Sequence, residues 1–409
     1  MSRFREFDVK KDRKAAHRIW REINWIEDEK GEKLLDTFLK EGHAMVAEID
    51  GEAECLVTAK PSELRYQKKD LNISVVTSVG TSRIARKQGL AKRLTAKVIA
   101  QEAEAGALAS TLGIFEQGFY DQLGYGGGSY EHWVTFDPAD LKVDRTFDPP
   151  KRLSKDDWSI VQDSMINRQK RHGAITLLPP CIAEAELGWT ENGFGLGYLN
   201  DQEALTHFLW GKIKGESGPF HIQVMAFRNF EQFLELMAVV KSLGDQVKLV
   251  EMREPAGIQM QDLILNPFRK RIITKRSEFE HINRANAYWQ IRICDLEACV
   301  AASSFMTGSI PFNLDLSDPI VEHLDDHEKW QGCGGQYTVT LGPESHAGQG
   351  FTKGLPVLKA DVGAFSRLWM GVGSATGLAV TGNLSGPEEL LNSLDEIITL
   401  PQPHPDWDY

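Results

Sequence analysis

Apolar residues recur at helical spacing in residues 12–24 (DRKAAHRIWREIN), where Ala16, Ile19, Trp20 and Ile23 line one face. That spacing predicts a helix, and a second helical run follows over 30–41. The pattern then changes period. AMVAEID and AECLVTAKPSELRYQ predict two strands joined at Asp50-Gly51, a pair that accepts the positive φ of a tight hairpin. SVVTSVGT (74–81) is a further predicted strand, and residues 86–105 hold strong helix formers with no proline. ALASTLGIF (107–115) predicts a buried strand, 119–123 a short helix, and YEHWVTF (130–136) a strand closing this first block. Hairpin strands followed by crossover helices predict an α+β fold, a mixed sheet flanked by helices.

Punctuation divides the remainder. Residues 137–152 (DPADLKVDRTFDPPKR) concentrate Asp and Pro, and Pro149 and Pro150 press Asp148 towards an extended conformation, which predicts a linker. A second block runs to about residue 284. A third opens near Asn286 with AYWQIRICDLEACVAA, a strand-like run followed by a helix-like one. The 409 residues accommodate two to four domains, and no fixed-period repeat or low-complexity tract occurs.

Charge narrows the function classes. With 46 Lys and Arg against 58 Asp and Glu, the chain carries −12, which argues against nucleic-acid binding driven by cation–phosphate contacts. Cationic small substrates suit that balance better. No segment approaches the roughly 20 apolar residues of a membrane span, and the charged start lacks a secretory core. Cys55, Cys181, Cys294, Cys299 and Cys333 are sparse and form no CxxC pair, which predicts a reducing cytoplasm and no metal site.

The informative stretch is 79–91, VGTSRIARKQGLA. A strand leads into a short basic turn, then into a glycine at the mouth of a helix. Helix openings leave amides without partners and carry partial positive charge, so this geometry suits a phosphate or pyrophosphate. Gly89 permits close approach, and Arg86 and Lys87 add full charges. A plain solvated basic turn fits the same letters, and no GxxxxGK[ST] loop is present.

Arg86, Gly89 and Ala91, read as Arg-x-x-Gly-x-Ala after a strand, resemble the acetyl-CoA signature of the GNAT acyltransferases. Downstream, Phe119-Tyr120-Asp121-Gln122-Leu123-Gly124-Tyr125 resembles the aromatic helix-and-turn beside the thioester in that superfamily. The run from Glu116 to Tyr120, the three-block layout and the last block (Trp289 to Asp295, Leu358 to Phe365) resemble the enhanced-intracellular-survival (Eis) type more narrowly. The resemblance implies a GNAT domain at 1–148 and a second GNAT-like domain without cofactor at 149–284. A sterol-carrier-like α+β domain follows at 285–409, with a tail that returns to the active site. It implies an N-acetyltransferase moving the acetyl group of acetyl-CoA to a primary amine of a small cationic acceptor, aminoglycoside-like or lysine-like. Val79 and Thr81 would face the pantetheine arm, and Arg86, Lys87, Gly89, Leu90 and Ala91 the pyrophosphate. Tyr120 would be the general acid and the terminal carboxylate of Tyr409 the base. A homo-oligomer, with hexamers among the family's states, is also implied.

Rival readings accompany each assignment. Tyr120 also reads as a core aromatic with its hydroxyl tied to backbone, and Tyr125 is the neighbouring phenol. His404 and Asp408 are rival bases. The acids and aromatic at Trp25, Glu27, Asp28 and Glu29 suit either a cation pocket or a helix start. His323 and His327 lie four apart but lack the glutamate of a zincin, so a solvated helix is expected. The run of glycines at 193–197 lacks the dinucleotide spacing and is expected to be a turn or strand. FRKRIITKR (268–276) is a basic patch, a solvated edge or a subunit contact, and Cys294 and Cys299 are expected to pack as small apolar groups. From a different class comes a lipid-binding protein that uses the last block, with a vestigial transferase domain.

Overall fold

The computed structural model describes residues 3–114, 116 and 118–408. The chain forms two compact units. One takes the residues up to Ser129, then Arg171–Pro179 and everything from Ala287 onward; the other takes Tyr130–Lys170 and Pro180–Asn286.

The first unit begins with β1 (Arg3–Glu6), α1 (Val9–Glu22), α2 (Glu29–Phe38), β2 (His43–Ile49), β3 (Glu52–Tyr66) and β4 (Lys69–Thr81). Then come α3 (Leu90–Glu104), β5 (Ala109–Gly113), a 3-10 turn at Tyr120–Leu123 and β6 (Gly126–Gly127). The predicted hairpin is present, with Asp50 and Gly51 at φ 50 and 90. Asp8 and Asp28 start α1 and α2 by accepting from the Lys10 and Gly31 amides. The strands run antiparallel from β1 to β4, and β5 joins β4 in parallel after the α3 crossover. Beyond β5 lies Trp289–Ile293, a strand from the third block, which pairs with both β5 and β6.

In the second unit β7 (Glu131–Phe136) pairs with β13 (Val250–Arg253), not with the first sheet. YEHWVTF is thus the strand expected, but it closes a different sheet. Its place beside β5 is taken by residues 289–293, a long-range pairing that local pattern does not encode. The unit continues with β8 (Lys151–Leu153) and α4 (Trp158–Ile166); β9 (Ile175–Leu177) belongs to the first sheet, beside β3. Next are α5 (Cys181–Trp189), β10 (Phe194–Leu199), β11 (Leu205–Ile213), β12 (Phe220–Ala226) and α6 (Phe230–Ser242). α7 (Arg269–Ile273) and β14 (Asn283–Asn286) follow β13.

The two sheets repeat one topology. β8, β10, β11 and β12 run antiparallel in that order, and β13 joins β12 in parallel after α6. The sequence β1–β2–β3–β4–crossover–β5 has the same plan. The glycine-rich run is β10: Cβ atoms on Gly195 and Gly197 would meet Trp210 at 2.9 Å and Leu205 at 2.7 Å. FRKRIITKR surrounds α7, with Phe268, Ile272 and Ile273 exposed.

The third block supplies β15 (Trp289–Ile293), α8 (Leu296–Ala302), β16 (Ile310–Ser317), β17 (Gly335–Leu341), β18 (His346–Gln349) and β19 (Val357–Asp361). It ends with α9 (Val362–Trp369), α10 (Ala375–Thr381), β20 (Leu384–Ser385) and α11 (Glu388–Ile397). Strands β16 to β20 form a five-stranded mixed sheet in the order β18–β17–β16–β19–β20. The fold is therefore mixed, sheets flanked by helices, as the patterning predicts. His323 and His327 do not share a helix: a 3-10 turn ends at His323, and beyond it Asp325 pairs with Lys97 at 3.0 Å. No helix among the described residues is long and apolar enough to cross a membrane.

Candidate active site

The site is set by where β4 and β5 part. Their pairing runs from Ile73–Ala109 to Val76–Leu112 and stops there, although β4 continues to Thr81. At the same point β4 bulges: two residues, Ser78 at φ 58 and Val79, oppose the single Val57 of β3. A bulge bends its strand, and β4 runs on to Thr81 while β5 ends at Gly113, so the last residues of β4 have no β5 partner. Val79 and Thr81 lie on that stretch. Gly80 between them sits under α1, where a Cβ would lie 3.2 Å from both Ile19 and Ile23.

The turn after β4 is shaped for an anion. Lys87 and Gly89 both take left-handed φ, 58 and 76. Gly89 is the N-cap of α3, and with no side chain it offers the helix mouth no acceptor. The amides of Leu90, Ala91 and Lys92 have no acceptor among the described residues, and α3 has no acid in its first turn. Arg86 and Lys87 are exposed without an ion-pair partner among the described residues. Arg83, by contrast, is held by Glu22 through its amide at 2.6 Å and its Nε at 3.2 Å.

The matching place in the second unit is closed. There the N-cap of α6 is Asn229, whose side chain accepts from the Gln232 amide at 3.0 Å, and Glu231 occupies the first turn. A capped, acid-flanked helix mouth repels a phosphate.

The 3-10 turn Tyr120–Leu123 packs against α3. Tyr120 shares one packed cluster with Cys55, Val76, Leu90 and Leu94, against which Val79 and Ala91 also pack. The structure therefore brings Val79, Leu90, Ala91 and Tyr120 together; Thr81 joins through its hydroxyl, 3.3 Å from the Cys55 sulfur. The side chains of Lys92 and Gln122 are hydrogen-bonded, tying the first turn of α3 to the Tyr120 turn. Tyr120 is 7% exposed, and its hydroxyl makes no hydrogen bond among the described residues. Burial, with the Cys55 thiol and Glu116 carboxylate adding to it, pushes its pKa up to about 12. Tyr125 differs: its hydroxyl is 2.7 Å from Ser110 Oγ, both groups being buried. Tyr125 is thus tied into the core, and Tyr120 is the phenol left open.

The C-terminal tail docks on the same unit. Ser129 Oγ donates to the Pro403 carbonyl, and the His404 amide donates to the His172 carbonyl at 2.9 Å. Gly173 lies against it so closely that a Cβ would meet His404 N at 2.3 Å. Trp407 is buried. Tyr409 lies outside the described residues. Near Trp25, Asp28 serves as the α2 cap and Glu32 pairs with Arg21 at 2.8 Å, so the helix-start reading accounts for part of that acidic segment. Cys294 and Cys299 are buried, and among the described residues no group of three His, Cys, Asp or Glu side chains is placed to hold a metal ion.

Sequence reading missed the support behind the Tyr120 turn. Gln290 and Arg292, neighbours on one face of β15, reach Asp121 and the Leu123 carbonyl. The signal available was a cation inside the apolar run WQIRIC, unusual for a buried strand.

A model of the acetyltransferase (GNAT) domain matches residues 5–128, and one of the sterol carrier protein domain matches 296–405. The chain carries a GNAT acetyltransferase domain and a sterol carrier protein domain. The parted strands, the open helix mouth and Tyr120 all fall inside the GNAT domain. No curated protein matches by sequence. Among solved structures, a probable N-acyltransferase of Enterococcus faecalis V583 is similar over 100% of both chains, with TM-score 0.80 and 17% identity. A GCN5-related N-acetyltransferase of Anabaena variabilis gives TM-score 0.80 at 12% identity, again over 100% of both chains. Eis1 of Mycobacterium abscessus gives 0.75 at 15% over 100% of each. At those identities the likeness is one of fold, and it extends over the whole length, the sterol carrier domain included.

Proposed function

We propose that this protein transfers the acetyl group of acetyl-CoA to a primary amine of a small cationic acceptor, aminoglycoside-like or lysine-like. One observation supports the reading: an uncapped, acid-free helix mouth lies in the same packed cluster as a buried phenol whose hydroxyl has no hydrogen-bond partner among the described residues. The residues present fit the cosubstrate. The amides at the start of α3, with Arg86, Lys87 and Gly89, would hold a pyrophosphate, and the parted end of β4 at Val79 and Thr81 would hold the arm. Bound acetyl-CoA supplies an activated acetyl thioester.

The chain's own part is proton handling and exclusion of water. Tyr120 keeps its proton at neutral pH and is the donor to the departing sulfur. The amine must be neutral to attack, which calls for a proton acceptor. We assign that role to the terminal carboxylate of Tyr409. In water such a group, with a pKa of about 3.3–3.7, is a weak base, and burial or a bridging water strengthens it. The docking of residues 403–407 on the GNAT-bearing unit supports the assignment, since a fixed tail spends less entropy than a frayed one. The negative net charge of the chain favours a cationic acceptor.

Residues 149–284 fit a second GNAT-like domain whose helix mouth Asn229 has closed to cofactor, within a division of 1–148, 149–284 and 285–409. A cytoplasmic location and a homo-oligomeric state belong to the same reading. A lipid carrier with a vestigial transferase domain is not favoured, because the anion turn and the open phenol are both intact.

The test is acetyl transfer to a panel of aminoglycosides, lysine derivatives and polyamines, with Tyr120→Phe and a chain extended by one glycine after Tyr409 alongside. Both variants are expected to bind acetyl-CoA normally and to lose turnover. Full activity of Tyr120→Phe overturns the acid assignment, and full activity of the extended chain overturns the base.

A further inference from the structure

The 3-10 turn that carries Tyr120 is too short to hold its own orientation. Four residues make one turn, and the segment ends at Gly124 in the left-handed region, φ 78. Besides the Lys92–Gln122 contact, what holds it comes from about 170 residues further along the chain. Side chains two apart on a strand share a face, and on β15 that pair is Gln290 and Arg292. Gln290 Nε2 donates to Asp121 Oδ1 at 2.8 Å, and Arg292 Nη1 donates to the Leu123 carbonyl at 2.5 Å.

Arg292 is itself fixed from behind. Its Nη2 lies 2.6 Å from Asp318 Oδ2, with both side chains 0% exposed, and its guanidinium sits 5.0 Å from the centre of the Trp330 ring. Asp318 has further anchors: it accepts from the Cys333 amide at 3.0 Å and the Ile320 amide at 3.2 Å. The packing leaves no slack, because a Cβ on Gly124 would lie 2.4 Å from Val362 Cγ1 and 3.1 Å from Arg292 Nη1. A buried ion pair is poor value as a stabiliser, since desolvation offsets most of its attraction. Its rigid fork is well suited to fixing one carbonyl in place.

We propose that Gln290 and Arg292, braced by Asp318, are positioning residues for Tyr120, so that the C-terminal region sets the aim of the catalytic phenol. The inference rests on Tyr120 being the general acid. It gives the sterol carrier region a part in turnover that needs no lipid.

The test is a double-mutant cycle on steady-state acetyl transfer, with Gln290→Met and Arg292→Lys made in the native chain and in Tyr120→Phe. Misplacing a reacting group by about 1 Å costs on the order of 100-fold. Each variant is expected to lower kcat about 10-fold or more in the native chain, with KM for acetyl-CoA within about 2-fold. In Tyr120→Phe the same changes are expected to alter kcat less than about 2-fold, because the group they aim is gone. A purely structural role would give equal losses in both backgrounds, and that result overturns the proposal. So does native kcat in Gln290→Met or a loss confined to KM. If Arg292→Lys fails to fold, Gln290→Met, which keeps the ion pair, decides alone. A fully active Tyr120→Phe is a separate outcome: it removes the acid assignment, and positioning falls with it.

Discussion

Tyr120 and Tyr125 are five residues apart, both buried, and separated by what their hydroxyls touch. Removing the Tyr120 hydroxyl breaks no hydrogen bond and strands no partner among the described residues, so Tyr120→Phe should change stability by no more than about 0.5 kcal/mol. Removing the Tyr125 hydroxyl leaves Ser110 Oγ, 1% exposed, without its 2.7 Å partner, and a buried orphan of that kind costs about 1–3 kcal/mol. Catalysis should divide the other way. A positioned general acid is worth on the order of 10²–10⁴ in rate, or about 2.7–5.4 kcal/mol of barrier. Tyr120→Phe should thus lose at least about 100-fold in kcat with unchanged thermal unfolding, while Tyr125→Phe should unfold at lower temperature and keep kcat within a few-fold. Release of free CoA thiol, followed with a thiol-reactive dye, reads the rate; circular dichroism on heating reads the fold. If Tyr125→Phe is the inactive variant, or Tyr120→Phe the destabilised one, the two phenols have been assigned backwards.

Three further outcomes follow from the same geometry. Arg86→Ala with Lys87→Ala should weaken CoA about 10-fold and flatten the salt dependence of binding without changing kcat, because both cations are exposed and have no ion-pair partner among the described residues; calorimetric titration at two salt concentrations checks it. The Tyr120 phenol must be protonated to act, and with its pKa pushed up to about 12 it stays so through pH 10. Activity should therefore rise with pH as the acceptor amine deprotonates; a fall between pH 8 and 10 that vanishes in Tyr120→Phe would contradict the shift. Gly173→Ala puts a carbon 2.3 Å from His404 N and 2.6 Å from Pro403 Cα, so the tail must lift; limited proteolysis should clip it faster than in the native chain, with CoA affinity intact.

The parts of the fold legible in the sequence are those whose cause is local. α1, α2 and the Asp50-Gly51 hairpin follow from spacing, capping acids and a turn pair that tolerates positive φ. The turn before α3 is legible for the same reason, since it is built from consecutive residues ending at a glycine. α3 starts at Leu90, as the glycine at its mouth predicts, and not at Arg86 where the run of helix formers begins, because Lys87 and Gly89 adopt left-handed backbone that no helix continues through. What sequence could not supply is pairing at long range. Nothing in YEHWVTF or AYWQIRIC says that the first strand belongs with 250–253 and the second with 109–113. That the Tyr120 hydroxyl has no partner among the described residues is likewise a property of what surrounds it, and a single sequence reads Tyr120 and Tyr125 alike.

The repeated topology gives these observations a common physical basis. Two sheets of one plan each send a crossover helix from the end of their fourth strand, and a helix mouth there is an anion site by default. Whether it stays one is decided by very few atoms. In the second unit the Asn229 side-chain oxygen takes the Gln232 amide and Glu231 adds charge of the wrong sign. In the first, Gly89 offers no side-chain oxygen, Arg86 and Lys87 add charge of the right sign, and β4 bulges at Ser78 and Val79 beside it. Sheet order and crossover are common to both units, so neither accounts for the difference; the chemistry of one cap and one bulge does. A Gly89→Asp change tests that: on backbone held at φ 76 it strains the turn and sets a negative charge at the helix mouth, and CoA affinity should fall by more than the Arg86 and Lys87 removals together. Unchanged affinity would mean that the helix mouth is not where the nucleotide is held.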